Sequence, residues 1–301
     1  MKKLYASLIA LSLTWGTSFL FIKLLVQSIG PIGTVFGRCL FGALILLIVL
    51  LIFNRQELKE ANRLPWLSII FVGLFNNALP WLLIAYSETA ISSSLASVIN
   101  ASTPIFTVIV GTIFFASRLK FRQWSGIFIG FAGILFILNL DLRHFFAENL
   151  TGAGTMLLAT LCYGIGAHLA KKNLSNLSVV MTSFSTLCVS AVFSLIALLF
   201  ASPGVLETMF HWDIFFSFIG LGVFGSGAAY LLYYYMVKEG GAEFASLVTY
   251  LVPVSAIIWG YFLLKENITL HMILGLLLVF CGIYFITYQS KNKKAAERKT
   301  A

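Results

Sequence analysis

Two cations, three amides and a group of aromatic rings are the chemistry that this chain offers. Lys23 closes the run WGTSFLFIK (15–23), and Arg38 sits inside FGRCLFGALIL (36–46). Asn76-Asn77, Asn100, Trp15, Trp81, Tyr163, Tyr230 and Tyr250 fall in equally apolar stretches. No catalytic set appears among them. There is no Ser/His/Asp constellation, HExxH or Walker-type loop, and His144, His168, His211 and His271 are scattered. Cys39, Cys162, Cys188 and Cys281 lie one to a run with no CxxC spacing, and read as small buried hydrophobes. Such residues bind rather than react. Amides and phenols hydrogen-bond a polar solute, rings stack on it, and a cation attracts a carboxylate. The expected site has no catalytic residue, metal or cofactor. The expected partners are a small-molecule substrate and membrane lipid, without nucleic acid, for a chain acting as a monomer.

The elements that must hold these groups follow from composition. Of 301 residues, 59% are hydrophobic and 10% charged, too little charge to cover a soluble domain of this length. Apolar windows of about 20 residues, enough for a bilayer core of roughly 30 Å, start near positions 4, 33, 66, 92, 122, 152, 179, 214, 244 and 271. The runs are long and lack two-residue alternation, so they are helices. The basic start MKK precedes a run without an A-x-A-like cleavage site, so it is read as the first span, retained. With the N-terminus cytoplasmic, only Arg143 and Lys265 among the 20 Lys and Arg fall in outer segments, while Lys23 and Arg38 lie near the outer ends of the first two spans. The net charge of +9 thus suits an anionic leaflet rather than nucleic acid. Both termini are expected in the cytoplasm.

The chain also repeats itself. A shift of 149 residues brings Gly73 onto Gly222, Tyr86 onto Tyr235, Pro104 onto Pro253, Gly126 onto Gly275 and Gly133 onto Gly282. A shift of 148 brings Trp15 onto Tyr163, Gly16 onto Gly164 and Lys23 onto Lys171. Five spans per unit is odd, so the second unit enters the membrane from the opposite side. The expected fold is an all-α membrane protein of ten transmembrane helices, as two inverted-topology repeats of five. Residues 1–140 form the first unit, 141–151 an outer connection, 152–289 the second unit and 290–301 a basic cytoplasmic tail.

Polar groups inside a membrane usually face the bundle interior. Trp15, Asn76, Asn77, Trp81, Asn100, Tyr163, Tyr230 and Tyr250 are therefore the candidate substrate-binding residues, with Thr103, Thr249 and Ser226 at similar depth. Pro104 and Pro253 are candidate helix breaks that free backbone carbonyls. Much of YLLYYYM (230–236) reads as interfacial belt, and His168 as an interfacial histidine. Lys23, Arg38 and Lys171 are candidates for gating or charge steering, and Lys23 is alternatively a side chain snorkelling to the outer headgroups. No acid falls near the middle of a span, and Glu88, Glu243 and Glu266 lie at span ends.

WGTSFLFIK, the arginine of FGRCLFGALIL and the closing pattern of each unit resemble the drug/metabolite transporter superfamily, specifically the bacterial EamA-type ten-span carriers. The matching positions are Trp15-Gly16, Lys23, Arg38, Pro104, Pro253, and Glu266 followed by Gly275 and Gly282. The resemblance covers essentially the whole chain and implies export or exchange of amino acids or related small metabolites through a central cavity. Two positions depart from internal symmetry: Ser117 stands where the second unit has Glu266, and Arg38 has no basic counterpart near Leu187. The leading expectation is a plasma-membrane secondary transporter working by alternating access. A proton-coupled multidrug exporter is the alternative within transport. A polytopic enzyme or accessory protein for lipid-linked substrates is the alternative outside it, and would need acids or histidines clustered at one headgroup level.

Overall fold

The computed structural model describes residues 2–59, 63–91, 93–116, 120–137, 150–202, 204–209, 211–255 and 270–297, as helices joined by short connections. Ser117, Arg143, His144, Gly260, Lys265, Glu266 and nearly all of the 141–151 connection lie outside the described residues.

The helices begin within a turn of the apolar windows, and local chemistry sets their ends. Gly30 breaks the Lys2–Phe53 element with φ 73° and ψ 173°, a conformation open essentially to glycine, and Pro31 then starts the second limb. Ser178 caps the Val179–Ala201 helix by accepting from the Met181 backbone N–H at 3.0 Å. Gly241, at φ 94°, separates Ala229–Gly240 from Ala242–Ser246. Among the described residues, five helical stretches are long and apolar enough to cross a bilayer: Phe21–Phe53, Trp66–Ala90, Leu150–Asn173, Val179–Ala201 and Trp212–Gly240. Shorter apolar helices accompany them at Thr103–Phe114, Phe121–Phe136, Ala242–Ser255 and Ile273–Ile286. Large side chains such as Phe53, Leu67, Phe114 and Phe200 cover the outside of the bundle, a surface that lipid satisfies and water does not.

Small residues decide how the helices meet. A Cβ added at Gly126 would lie 2.7 Å from the Gly282 carbonyl oxygen, and one at Gly133 would lie 2.7 Å from that of Gly275. The two pairs run in opposite order, so Phe121–Ile137 crosses Leu270–Glu297 antiparallel and almost backbone to backbone. These are the glycines that the 149-residue shift superposes. Another contact recurs in the same way. Gly73 faces the Thr186 carbonyl and Val189, and Gly222 faces the Arg38 carbonyl and Phe41. The second limb of Lys2–Phe53 thus packs on Trp212–Gly240, and Val179–Ala201 packs on Trp66–Ala90.

Both units also carry a π-helical stretch at matching places. Leu74–Ala78 shifted by 149 falls inside Ile219–Ala228. In the first of these, Pro80 has no N–H for the carbonyl four residues back, on Asn76, and Tyr230 Oη donates to that oxygen at 2.9 Å. One unit's backbone defect is filled by the other unit's side chain.

Candidate functional site

Where the two halves meet they leave a cavity with about 620 Å³ of empty space, its open mouth included. Its lining comes from both units at matching positions: Trp15 with Tyr163, Phe19 with Ala167, Ile84 with Tyr233, Asn100 with Thr249, and Thr103 with Val252. Helical periodicity explains the stripes. Trp15, Ser18, Phe19 and Ile22 share one face of their helix, and Asn100, Thr103 and Thr107 share a face across the break before Pro104.

The walls are stiffened from behind. Trp15 Nε1 donates to the Gly225 carbonyl at 3.1 Å, in the second π-helical stretch, and its ring lies 5.8 Å from that of Tyr233. Asn76 is a hub. Tyr233 Oη donates to its Oδ1 at 3.0 Å, its Nδ2 donates to Tyr234 Oη at 3.2 Å, and Tyr230 holds its carbonyl. Tyr234 Oη donates onward to Thr186 Oγ1 at 3.2 Å. Gly166 passes so close that an added Cβ would lie 2.6 Å from the Asn76 Cβ. The expectation that much of YLLYYYM is interfacial belt is corrected: Tyr233 and Tyr234 are buried alongside Tyr230, because the Asn76 amide and carbonyl give the three hydroxyls partners inside the bundle.

Arg38 lines the cavity with its guanidinium carbon 3.6 Å above the centre of the Trp81 ring, and Nε donates to Ser226 Oγ at 3.1 Å. Lys23 does something else. Its ammonium donates to the Glu88 carbonyl at 2.7 Å, in the last turn of Leu79–Ala90. Lys171 donates likewise to the Lys238 carbonyl, in the last turn of Ala229–Gly240. Each lysine satisfies an orphan carbonyl at the negative end of a helix. The pair is equivalent, and each member ties together two helices of its own unit. Lys23, alternatively read as snorkelling to headgroups, has a partner for its amine within the protein.

Of the eight candidate binding residues, Trp15, Trp81, Asn100 and Tyr163 line the cavity. Asn76, Asn77 and Tyr230 are fully buried behind the wall, and Asn77 Nδ2 is left without a partner. Tyr250 turns away, donating to the Ile127 carbonyl at 2.8 Å and packing on Gly130. Pro104 stands in the first turn of Thr103–Phe114, after the interruption at Ala101-Ser102, whereas Pro253 sits within the helical stretch 248–255. His168 is buried rather than interfacial, with Nε2 2.9 Å from the Thr107 carbonyl and its ring stacked 4.9 Å from Phe115. Glu88 lies at a helix end as expected, yet is fully buried. Of the cysteines, Cys39 is buried, Cys162 and Cys188 half-buried and Cys281 exposed on an apolar face. Ser18, Thr107, Tyr233 and Ser246 line the cavity without having been singled out. Their signal was a spacing of three or four residues from Trp15, Thr103, Tyr230 and Thr249.

The model of the EamA-like transporter family matches this chain twice, over residues 2–139 and 150–288. The chain belongs to the EamA-like transporter family. Among its relatives is the uncharacterized transporter YoaV of Bacillus subtilis, 24% identical over 297 residues that cover 98% of this chain and 100% of the relative. An uncharacterized transporter of Archaeoglobus fulgidus is 26% identical over 92% of this chain and 96% of its own. Protein PagO of Salmonella typhimurium is 25% identical over 99% of this chain and 97% of its own. One crystal structure superposes with a TM-score of 0.75 over 97% of this chain and 99% of that chain, at 15% identity, a likeness of fold alone. The protein is an integral, multi-pass membrane protein of the cell membrane.

Proposed function

We propose that this protein is a secondary transporter that exports or exchanges small metabolites, amino acids among them, by alternating access. The observation that carries the reading is the cavity itself, lined at matching positions by both units of a bundle whose outside is apolar. The antiparallel crossing of the superposable glycines supports ten crossings in two inverted units, with a pseudo-two-fold axis in the membrane plane. In such a bundle one arrangement opens the cavity to one side, and its mirror in the other unit opens it to the opposite side. The lining carries no carboxylate among the described residues, which counts against a lipophilic-cation exporter.

Two measurements test this. Reporter fusions at both termini should report the cytoplasm, and a terminus outside would remove the inverted topology. Vesicles reconstituted with the full chain and loaded with a cell-derived mixture of amino acids and related metabolites should release at least one component faster than empty vesicles. A release profile identical to that of the empty vesicles would sink the transport reading.

A further inference from the structure

We propose that the cavity takes an organic monocarboxylate on Arg38, in preference to a zwitterion or a cation of the same shape; this rests on the transport reading and narrows its substrate class from amino acids and related metabolites to organic anions. Arg38 is only 5% exposed, and among the described residues it is the one charged side chain that lines the cavity. A guanidinium carries five N–H donors in a fixed fork. The Nε–H goes to Ser226, the π-face is covered by Trp81, and no described residue accepts from the four terminal N–H groups. These terminal nitrogens are absent from the fully enclosed polar atoms that lack a partner, so they keep an accessible edge, on a side chain that lines the cavity. No carboxylate among the described residues comes within ion-pair distance of Arg38. Glu88 acts on it electrostatically from farther away and does not line the cavity.

A buried cation in that position costs free energy until something anionic meets it. The planar fork, held 3.6 Å above the centre of an indole ring, presents paired donors that suit the two oxygens of a carboxylate. Among the described residues, the rest of the wall offers a second cation neutral acceptors and ring faces but no carboxylate. The hydroxyls of Ser18, Thr107, Ser246 and Thr249 donate to carbonyls three or four residues back, and that of Thr103 to the Asn100 carbonyl across the helix break, leaving only lone pairs toward the cavity. An amino acid would meet neutral oxygens and ring faces that hold its ammonium in part but supply no counter-charge to offset Arg38, and a simple amine would face Arg38 itself. An anionic head with an apolar or aromatic body fits the charge and the walls together. The seat is also one-sided. The positions in the second unit that answer to Arg38 are Thr186, engaged with Tyr234, and Leu187, fully buried. Substrate therefore binds off the pseudo-symmetry axis in one orientation.

The test uses the full chain in lipid nanodiscs and four probes with one body: 3-phenylpropionate, phenylalanine, 3-phenylpropan-1-ol and 3-phenylpropan-1-amine. Binding is read by tryptophan fluorescence, since Trp15 and Trp81 line the cavity. The acid should bind about tenfold or more tighter than the alcohol, with phenylalanine weaker than the acid and the amine weakest. Arg38→Gln should weaken the acid about ten- to a hundredfold and leave the alcohol unchanged. Arg38→Lys should restore part of the difference, because it keeps the charge and loses the fork. If Arg38→Gln does not fold, the wild-type ranking decides alone. Phenylalanine or the amine outranking the acid overturns the proposal. So does an unchanged acid-to-alcohol ratio in Arg38→Gln, or binding by none of the four. Displacement of the acid by potassium chloride at equal concentration also overturns it, by making the seat a site for inorganic anions. Vesicle flux of the metabolite mixture is run on the same preparation. Flux with the wrong headgroup ranking removes the anion assignment and leaves transport standing, whereas no flux at all removes the transport reading.

Discussion

Replacing Asn76 by alanine is the perturbation that tests the cavity wall most directly. The substitution deletes two side-chain hydrogen bonds between the units, from Tyr233 Oη to Oδ1 at 3.0 Å and from Nδ2 to Tyr234 Oη at 3.2 Å. Neither phenol is stranded. Tyr234 keeps Thr186 as its acceptor, and Tyr233 lines the cavity, where a water can replace the amide. Asn77 Oδ1 loses its contact with Nδ2, but at 3.5 Å that bond is long and weak, so the full penalty for a buried orphan does not apply. What remains is the net value of two interhelical bonds, each worth about 0.6–1.7 kcal/mol in a membrane protein. The expected loss is thus about 1–3 kcal/mol. The Tyr230 bond survives, since it uses the Asn76 carbonyl rather than its side chain. Reversible unfolding in mixed micelles of Asn76→Ala, Tyr233→Phe and the double variant isolates the coupling, expected at about 1 kcal/mol. Two single variants that add without coupling would refute the network, and with it the claim that Asn76 supports the wall instead of facing the substrate.

Three further outcomes follow from the packing. Lys23→Met and Lys171→Met should each cost about 1 kcal/mol in the same unfolding assay, because each uncovers a helix-end carbonyl; membrane insertion should be unaffected, and an unchanged stability would return Lys23 to the headgroups. Gly126→Val should abolish monodisperse folded protein, since its Cβ would sit 2.7 Å from the Gly282 carbonyl, whereas Gly154→Ala, with nothing within 4 Å, should be silent; equal elution of both variants on gel filtration would contradict the close crossing. Gly30→Ala meets no atom within 4 Å, so its cost is purely conformational, about 1–3 kcal/mol, and a thermal melt matching the parent would mean that the turn relaxes.

The departures from sequence expectation share one cause. Hydropathy and periodicity report how deep a residue lies and which face of its helix it occupies, but not what stands opposite. Tyr233 and Tyr234 looked suited to a headgroup belt because tyrosine usually needs water at its hydroxyl. Asn76 and Thr186, distant in sequence, supply the partners instead. Asn77 and Tyr250 are buried inside the bundle, yet their helices turn them toward neighbours and not toward the cavity. Lys23 was ambiguous for the same reason, since its partner is a backbone carbonyl that no side-chain pattern reveals.

By itself, the sequence determined that this is a helical membrane protein built of two related halves, because apolar run length and internal repetition are local properties of the chain. It also named the aromatic and amide residues at cavity depth. Tertiary structure alone decided which of them face the cavity, which lock the halves together behind it, and that Arg38 stands there with an open edge. Those outcomes depend on helix rotation and on crossings fixed by glycines more than a hundred residues apart, such as Gly126 against Gly282. Only close packing of the folded chain brings such positions together.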